Sequence, residues 1–248
     1  MVQVVMVSPG DTDGVPTKEI DGKPTLVYWD LVGLVQPARL AMVYKGVDFV
    51  DVRIQAGEPS DPDHCKAWSE AKPGKLKDIM AFPNLPYMID GTMTIAQTNA
   101  IMHHIGRKYD LMGVKGKEHM VDYIMDHLTD LEKNLVVQSY AKGPESLLKY
   151  FKNSCPLELQ GFSKLLERKD FLTGDEPSVA DFKLYVFLYK LKIIQADLSS
   201  PDTEWMFTAD LLAFMSRMEE LPNVKDYMSS SDYQKRPINN TMALWIGK

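Results

Sequence analysis

Tyr28 and Trp29 close a short apolar run, Pro24-Thr25-Leu26-Val27-Tyr28-Trp29, that reads as a buried strand. Gly33 then breaks the chain into a loop. The strand therefore carries a phenol hydroxyl to a strand–loop junction, where a rigid scaffold can hold a functional group in place. A phenol there can donate a hydrogen bond to a bound sulfur, which favours thiolate over thiol and lowers the thiol pKa. A free thiol titrates near ~8.5, and a drop of about two units corresponds to roughly 2.7 kcal/mol. Such a drop turns a small thiolate fraction into the main species at neutral pH, and the thiolate is the nucleophile. Taken alone, Tyr28 is better read as a packed strand tyrosine with its hydroxyl at the surface. Further residues reverse that weighting.

Phe82-Pro83-Asn84-Leu85-Pro86-Tyr87 carries two prolines at the start of an apolar segment. On its own it reads as the beginning of a strand with its edge protected. Gln97-Thr98-Asn99-Ala100-Ile101 opens a helix. A helix N-terminus offers free N–H groups and partial positive charge to an anion. Thr98 also suits an ordinary cap, and the two roles are compatible. Trp68 and Lys72 stand four residues apart in the polar stretch Gln55–Asp78, too long for a plain connection.

Tyr28-Trp29-Asp30-Leu31-Val32-Gly33-Leu34, the Leu85-Pro86 segment and Gln97-Thr98, in that order, resemble the glutathione transferase family and, within it, the mu class. Asp226-Tyr227-Met228-Ser229-Ser230-Ser231-Asp232-Tyr233, followed by Pro237-Ile238 and Trp245, has the spacing of that class. The resemblance runs from about Thr25 to Lys248. It implies an enzyme that joins the thiolate of reduced glutathione to small hydrophobic electrophiles, with glutathione as co-substrate and no cofactor or metal. Tyr28 would be the catalytic tyrosine. Trp29, Leu34, Trp68, Lys72, Asn84, Leu85, Pro86, Gln97, Thr98 and Asp126 would hold the tripeptide. Leu85-Pro86 would be cis, turning the Leu85 backbone outward to pair with the cysteinyl part as an added strand does. The helix start at Gln97-Thr98 would take the γ-glutamyl carboxylate. Trp68 and Lys72 would grip the glycyl end. Asp126, for which a solvated helix acid is the lesser alternative, would reach the glutathione amino group of the neighbouring subunit.

The second-substrate pocket would be formed by Leu31, Met125, Val136, Asn239 and Asn240, with the carboxyl-terminal tail folded over it. Phe82, as a bare feature more often core, would be the aromatic that inserts into the partner of a homodimer. Two departures stand out. Cys65 occupies a position where the family usually has an arginine, and Lys66 is the candidate substitute. Val136 appears where the class has a tyrosine that assists some electrophiles, which implies slower addition to epoxides and enones. Two rivals keep the same framework: a glutathione-dependent isomerase of the prostaglandin D synthase kind, and a non-catalytic binding or lens protein.

These residues need elements to hold them. Pro37 suits the first turn of a helix carrying Leu40, Val43 and Tyr44, with Gly46 just past its end. Val47–Ile54 alternates as a second strand. Leu85–Ile89 and Met93–Ile95 read as a hairpin around Asp90-Gly91, before a helix from about Gln97 to Tyr109. This β-α-β-α-β-β-α order predicts an α/β thioredoxin-like domain over residues 25–110. After Gly113, Met120, Ile124, Leu128, Leu131 and Leu135 recur at helical spacing, so residues 111–248 read as an all-α domain. Its helices are expected over about Leu157–Lys169, Val179–Ile194 and Thr208–Glu220. Ser178 and Asp181 have the spacing of a capping box, which accounts for Asp181 without catalysis. Residues 1–24 form an N-terminal extension. Val2–Val7 is read as a tail rather than an edge strand, because termini that nothing ties down are mobile.

The 248-residue chain is 45% hydrophobic and 25% charged, the composition of a globular protein with a real core. A net charge of -6 offers no basic surface to a nucleic acid. No apolar stretch approaches the roughly 20 residues of a membrane span. Met1–Val7 lacks the basic start of a secretion signal. Two cysteines, Cys65 and Cys155, are too few for a disulfide framework, so the expected place is the cytoplasm. His103 and His104 are adjacent on a helix and point apart, and nothing has zinc spacing.

Overall fold

A computed structural model describes residues 2–198 and 207–247. The ranges above that start at Met1 or reach Lys248 end outside these residues.

The first half is a five-stranded sheet with helices. Its strands are β1 (Val2–Val7), β2 (Thr25–Trp29), β3 (Phe49–Ile54), β4 (Tyr87–Asp90) and β5 (Met93–Ala96). Their spatial order is β1-β3-β2-β4-β5. The parallel pair β2–β3, with Tyr28 opposite Arg53, needs a crossover, and α1 (Gln36–Tyr44) supplies it. Pro37 sits in its first turn, as expected. β4 and β5 form the antiparallel hairpin, closed at Gly91 with φ +61°. The polar stretch holds α2 (Lys66–Ala71) and a 3-10 turn over Lys75–Asp78. The α3 helix (Thr98–Lys108) completes this part.

The N-terminal segment differs from the expected tail. Val2–Val7 pairs in parallel with β3 along its whole length, from Val2 opposite Phe49 to Val7 opposite Ile54. The residues after it are strapped down as well. Pro9 O accepts from Ala67 N at 2.6 Å, Pro16 O from the Tyr87 hydroxyl at 2.7 Å, and Val15 is buried. The prior for free termini loses here because β3 would otherwise be an open, apolar edge.

The second half is helical: α4 (Glu118–Val137), a π turn (Gln138–Lys142), α5 (Pro144–Asn153), α6 (Cys155–Leu166), α7 (Val179–Leu198), α8 (Ala209–Glu219), α9 (Val224–Ser229) and α10 (Ser231–Gln234). The α7 helix is buried on most of its surface and packs against α1 and α4. Asp181 caps it: one carboxylate oxygen accepts from Ser178 N and Oγ, the other from Leu172 N at 2.7 Å. The cap reading of Ser178 and Asp181 therefore holds. Among the described residues no helix is long and apolar enough to cross a membrane.

Candidate active site

Tyr28 ends β2 with its ring buried and its hydroxyl at the loop that follows. The Leu34 N–H donates to the Tyr28 oxygen at 3.3 Å. Burial pushes the phenol well above its ordinary pKa, an effect that the Leu34 contact only partly offsets. The hydroxyl thus keeps its proton at neutral pH. Among the described residues, the only hydrogen bond at this oxygen is the one it accepts from Leu34. The O–H is left to donate elsewhere.

Gly33 makes this arrangement possible. Its φ is +43°, in the region that favours glycine. A Cβ there would collide with Leu31 Cδ1 and lie 2.5 Å from Tyr28 Cε1 and 2.8 Å from its hydroxyl. The loop is held from two sides. Val32 N and Gly33 N donate to Pro237 O and Ile238 O of the tail. Arg39 Nη1 donates to Leu31 O at 2.8 Å.

Arg39 belongs to a buried ring of polar side chains. Arg39 Nε and Arg53 Nε flank the two oxygens of Asp51 at 2.9 and 2.6 Å. Arg53 Nη1 and Arg236 Nη2 each reach Asp232 at 2.6 Å. Gln36 Oε1 closes the ring, accepting from Arg39 and Arg236. The ring ties the end of α10 and the tail to β3 and α1, behind the Tyr28 loop. Nothing in the sequence motifs pointed to it.

Several expected residues come together. The Trp29 and Trp68 rings meet edge to face at 6.4 Å, and the Lys72 ammonium lies 5.7 Å from the Trp68 ring centre. The Leu85–Pro86 bond is cis. Gln97 caps α3 with φ +77° and is exposed, so the first N–H groups of α3 begin at a backbone geometry that is costly for a non-glycine residue. Asp126 and Asn84 are exposed, and Phe82 is 83% exposed rather than core. Lys66 is paired with Asp63 at 3.0 Å. Cys65 starts α2 with φ +56° and its sulfur 3.5 Å from His64 Nε2.

A cleft of about 910 Å³ opens beside this centre, lined by Trp29, Leu31, Asn239 and Asn240 among others. Pro9 and the loop from Gln55 to Asp61 form its far wall, and Thr241 Oγ1 bridges to that loop through Gly57 O at 2.8 Å. Met125 does not line this cleft, because α4 turns it fully into the core. Val136 is half-buried and also outside the lining.

Sequence reasoning missed Tyr140. It lies one helical turn beyond Val136, in the π turn, and its hydroxyl accepts from Asn240 N at 3.2 Å. Tyr140 is close enough to add a small further cost to ionising Tyr28, whose pKa is raised chiefly by burial. The signal was available in the four-residue step from Val136 to Tyr140, which keeps both on one helix face.

Comparison with known proteins decides the family. The model of the glutathione S-transferase N-terminal domain matches residues 24–107, and that of the C-terminal domain matches residues 129–231. A glutathione S-transferase of Tyrophagus putrescentiae is 34% identical over 230 residues, covering 92% of this chain and 99% of that protein. The chain belongs to the glutathione S-transferase family. Human glutathione S-transferase Mu 3 is 33% identical, covering 90% of this chain and 95% of its own, so the kinship reaches into the mu class. Among solved structures, the glutathione S-transferase Blo t 8 superposes with a TM-score of 0.75 at 22% identity, over 90% of this chain and all of that one. A pi-class glutathione S-transferase of Onchocerca volvulus gives 0.69 at 26% identity, over 89% and 99%. The thioredoxin-like domain followed by a helical domain is thus the architecture of this transferase family. Glutathione is its co-substrate, and no cofactor is required.

Proposed function

We propose that this glutathione transferase joins the sulfur of glutathione to small hydrophobic electrophiles, with Tyr28 holding that sulfur as the thiolate. The thiol gives up its proton to water, the sulfur attacks the electrophilic carbon and the C–S bond forms; in a substitution the leaving group departs with the electron pair of the broken bond. The supporting observation is the Tyr28 hydroxyl itself. Its oxygen is occupied by Leu34 N–H and burial keeps it protonated, so its remaining capacity is to donate.

The tripeptide lies along the edge opened by the cis bond. Leu85 and Asn84 face its cysteinyl part, with Pro86 setting the turn. Trp68 and Lys72, beside Trp29 and Leu34, take the glycyl carboxylate. Gln97 and Thr98 offer the α3 N-terminus to the γ-glutamyl carboxylate, where partial positive charge favours an anion. Asp126 receives the α-ammonium of the tripeptide bound by the neighbouring subunit. The electrophile enters the cleft between Leu31, Asn239 and Asn240, and Asn240 N in turn donates to the Tyr140 hydroxyl behind it. The exposed Phe82 ring is an apolar anchor of the kind a homodimer buries. The free thiols of Cys65 and Cys155 fit the reducing cytoplasm.

The test is retention on immobilised glutathione together with conjugation of a chloronitrobenzene. Retention with turnover supports the reading. Binding without turnover refutes it in favour of a binding protein.

A further inference from the structure

Lys183 sits in the second turn of α7, among Phe182, Leu184 and Val186, and is 1% exposed. An ammonium buried there costs several kcal/mol unless it is fully partnered. Its partners are specific. Nζ donates to Asn99 Oδ1 at 2.7 Å, to Met125 O at 3.0 Å and to Thr129 Oγ1. Glu132 is 3.6 Å away and is shared with Lys190 at 3.0 Å. Two lysine amines thus share one buried carboxylate.

A second acid is linked to this amine from the surface. Asn99 Nδ2 donates to Asp126 Oδ1 at 3.0 Å, while Asn99 Oδ1 accepts from Lys183 and from Thr129. Asn99 is therefore fixed in orientation: its oxygen faces the buried cation and its amide faces the acid. Burial pulls the pKa of Lys183 down; Glu132 opposes this most, and the charge of Asp126 adds a smaller push in the same direction. Asn99 lies in the first turn of α3, one residue after Thr98, and Asp126 lies in mid α4. One amine on α7 thereby clamps together the two elements assigned above to the γ-glutamyl end.

We infer that Lys183 is a positioning residue for glutathione: through Asn99 it sets the Asp126 carboxylate where the α-ammonium of the γ-glutamyl group binds. The inference rests on the assignment of Asp126 proposed above. It does not touch the sulfur chemistry, so its signature lies in recognition of one end of the tripeptide.

The experiment measures steady-state kinetics of the full-length protein with glutathione and with an analogue lacking only the α-amino group. The variants are Lys183→Met, Asn99→Ala and Asp126→Asn, with thermal midpoints recorded for each. Asn99→Ala cuts the link while leaving the other contacts of Lys183 in place, so it decides the matter if Lys183→Met does not fold. A charge-assisted hydrogen bond lost predicts that KM for glutathione rises about tenfold in each variant, with kcat within roughly twofold. With the deaminated analogue the variants should match the parent protein. A loss equal for both substrates would show a general structural role and overturn the inference. An unchanged KM for glutathione in Asn99→Ala would overturn it too. A parent protein that turns over neither substrate would refute the proposed function itself, a result distinct from either.

Discussion

The Leu34 N–H points at the Tyr28 hydroxyl oxygen from 3.3 Å, and the residue between them in the loop, Gly33, leaves no room for a side chain against the same phenol. The hydroxyl is positioned by what cannot be placed next to it as much as by what bonds to it. Gly33→Ala should therefore injure chemistry as well as stability. The cost of a non-glycine residue at φ +43° is about 1–3 kcal/mol. A displaced phenol should lower kcat about 10- to 100-fold. Chemical denaturation and turnover of a chloronitrobenzene check both, and normal turnover with normal stability would show that the loop relaxes freely.

The ring around Arg53 makes a prediction about acid. The hydrogen bond from Arg53 holds the Asp232 carboxyl below its ordinary value of 3.8. A folded-state pKa below the unfolded one stabilises the fold above the unfolded value, and that stability is lost as pH falls through the folded pKa. Asp232 is half-exposed, with side-chain exposure of 51%, so solvent screening limits its worth to under about 1 kcal/mol. Asp232→Asn should lower the urea midpoint by a constant amount from about pH 7 to pH 5, with the gap to the parent closing below about pH 3.8. A gap that widens in acid would contradict the sign.

The Tyr140 hydroxyl accepts from Asn240 N, a residue of the cleft lining, and keeps its own proton to donate. Tyr140→Phe should leave KM for glutathione unchanged. It should slow addition to epoxides and enones roughly tenfold, the worth of one hydrogen bond to developing charge. Substitution on a chloronitrobenzene develops its charge on the nitro-bearing ring and serves as the control. Equal slowing of all three reactions would assign Tyr140 to packing.

Much of this was legible in the chain. The strand that ends in Tyr28, the crossover helix opened by Pro37, the Asp90-Gly91 hairpin and the Ser178–Asp181 cap are each local signals, written within a few residues of where they act. The Trp68–Lys72 pair was legible through the resemblance alone, since neither residue type announces a site. What escaped was long-range. Val2–Val7 becomes a strand only because β3 offers it an edge some forty residues away. The Asp51–Arg53–Asp232–Arg236 ring joins residues 179 apart in sequence. Lys183 carries no local signal of its own, since its partners Asn99 and Glu132 come from distant parts of the chain. Tyr140 escaped for another reason: it lies in a π turn, one helical turn beyond Val136, where the motif spacing did not look for it.

The most direct test is the pKa of glutathione's thiol when bound, followed by the ultraviolet absorbance of the thiolate in the parent protein and in Tyr28→Phe. The account predicts a bound thiol about two units below its free value of ~8.5 in the parent, returning to about 8.5 in the variant with tripeptide affinity nearly unchanged. The same low pKa in both proteins would contradict it.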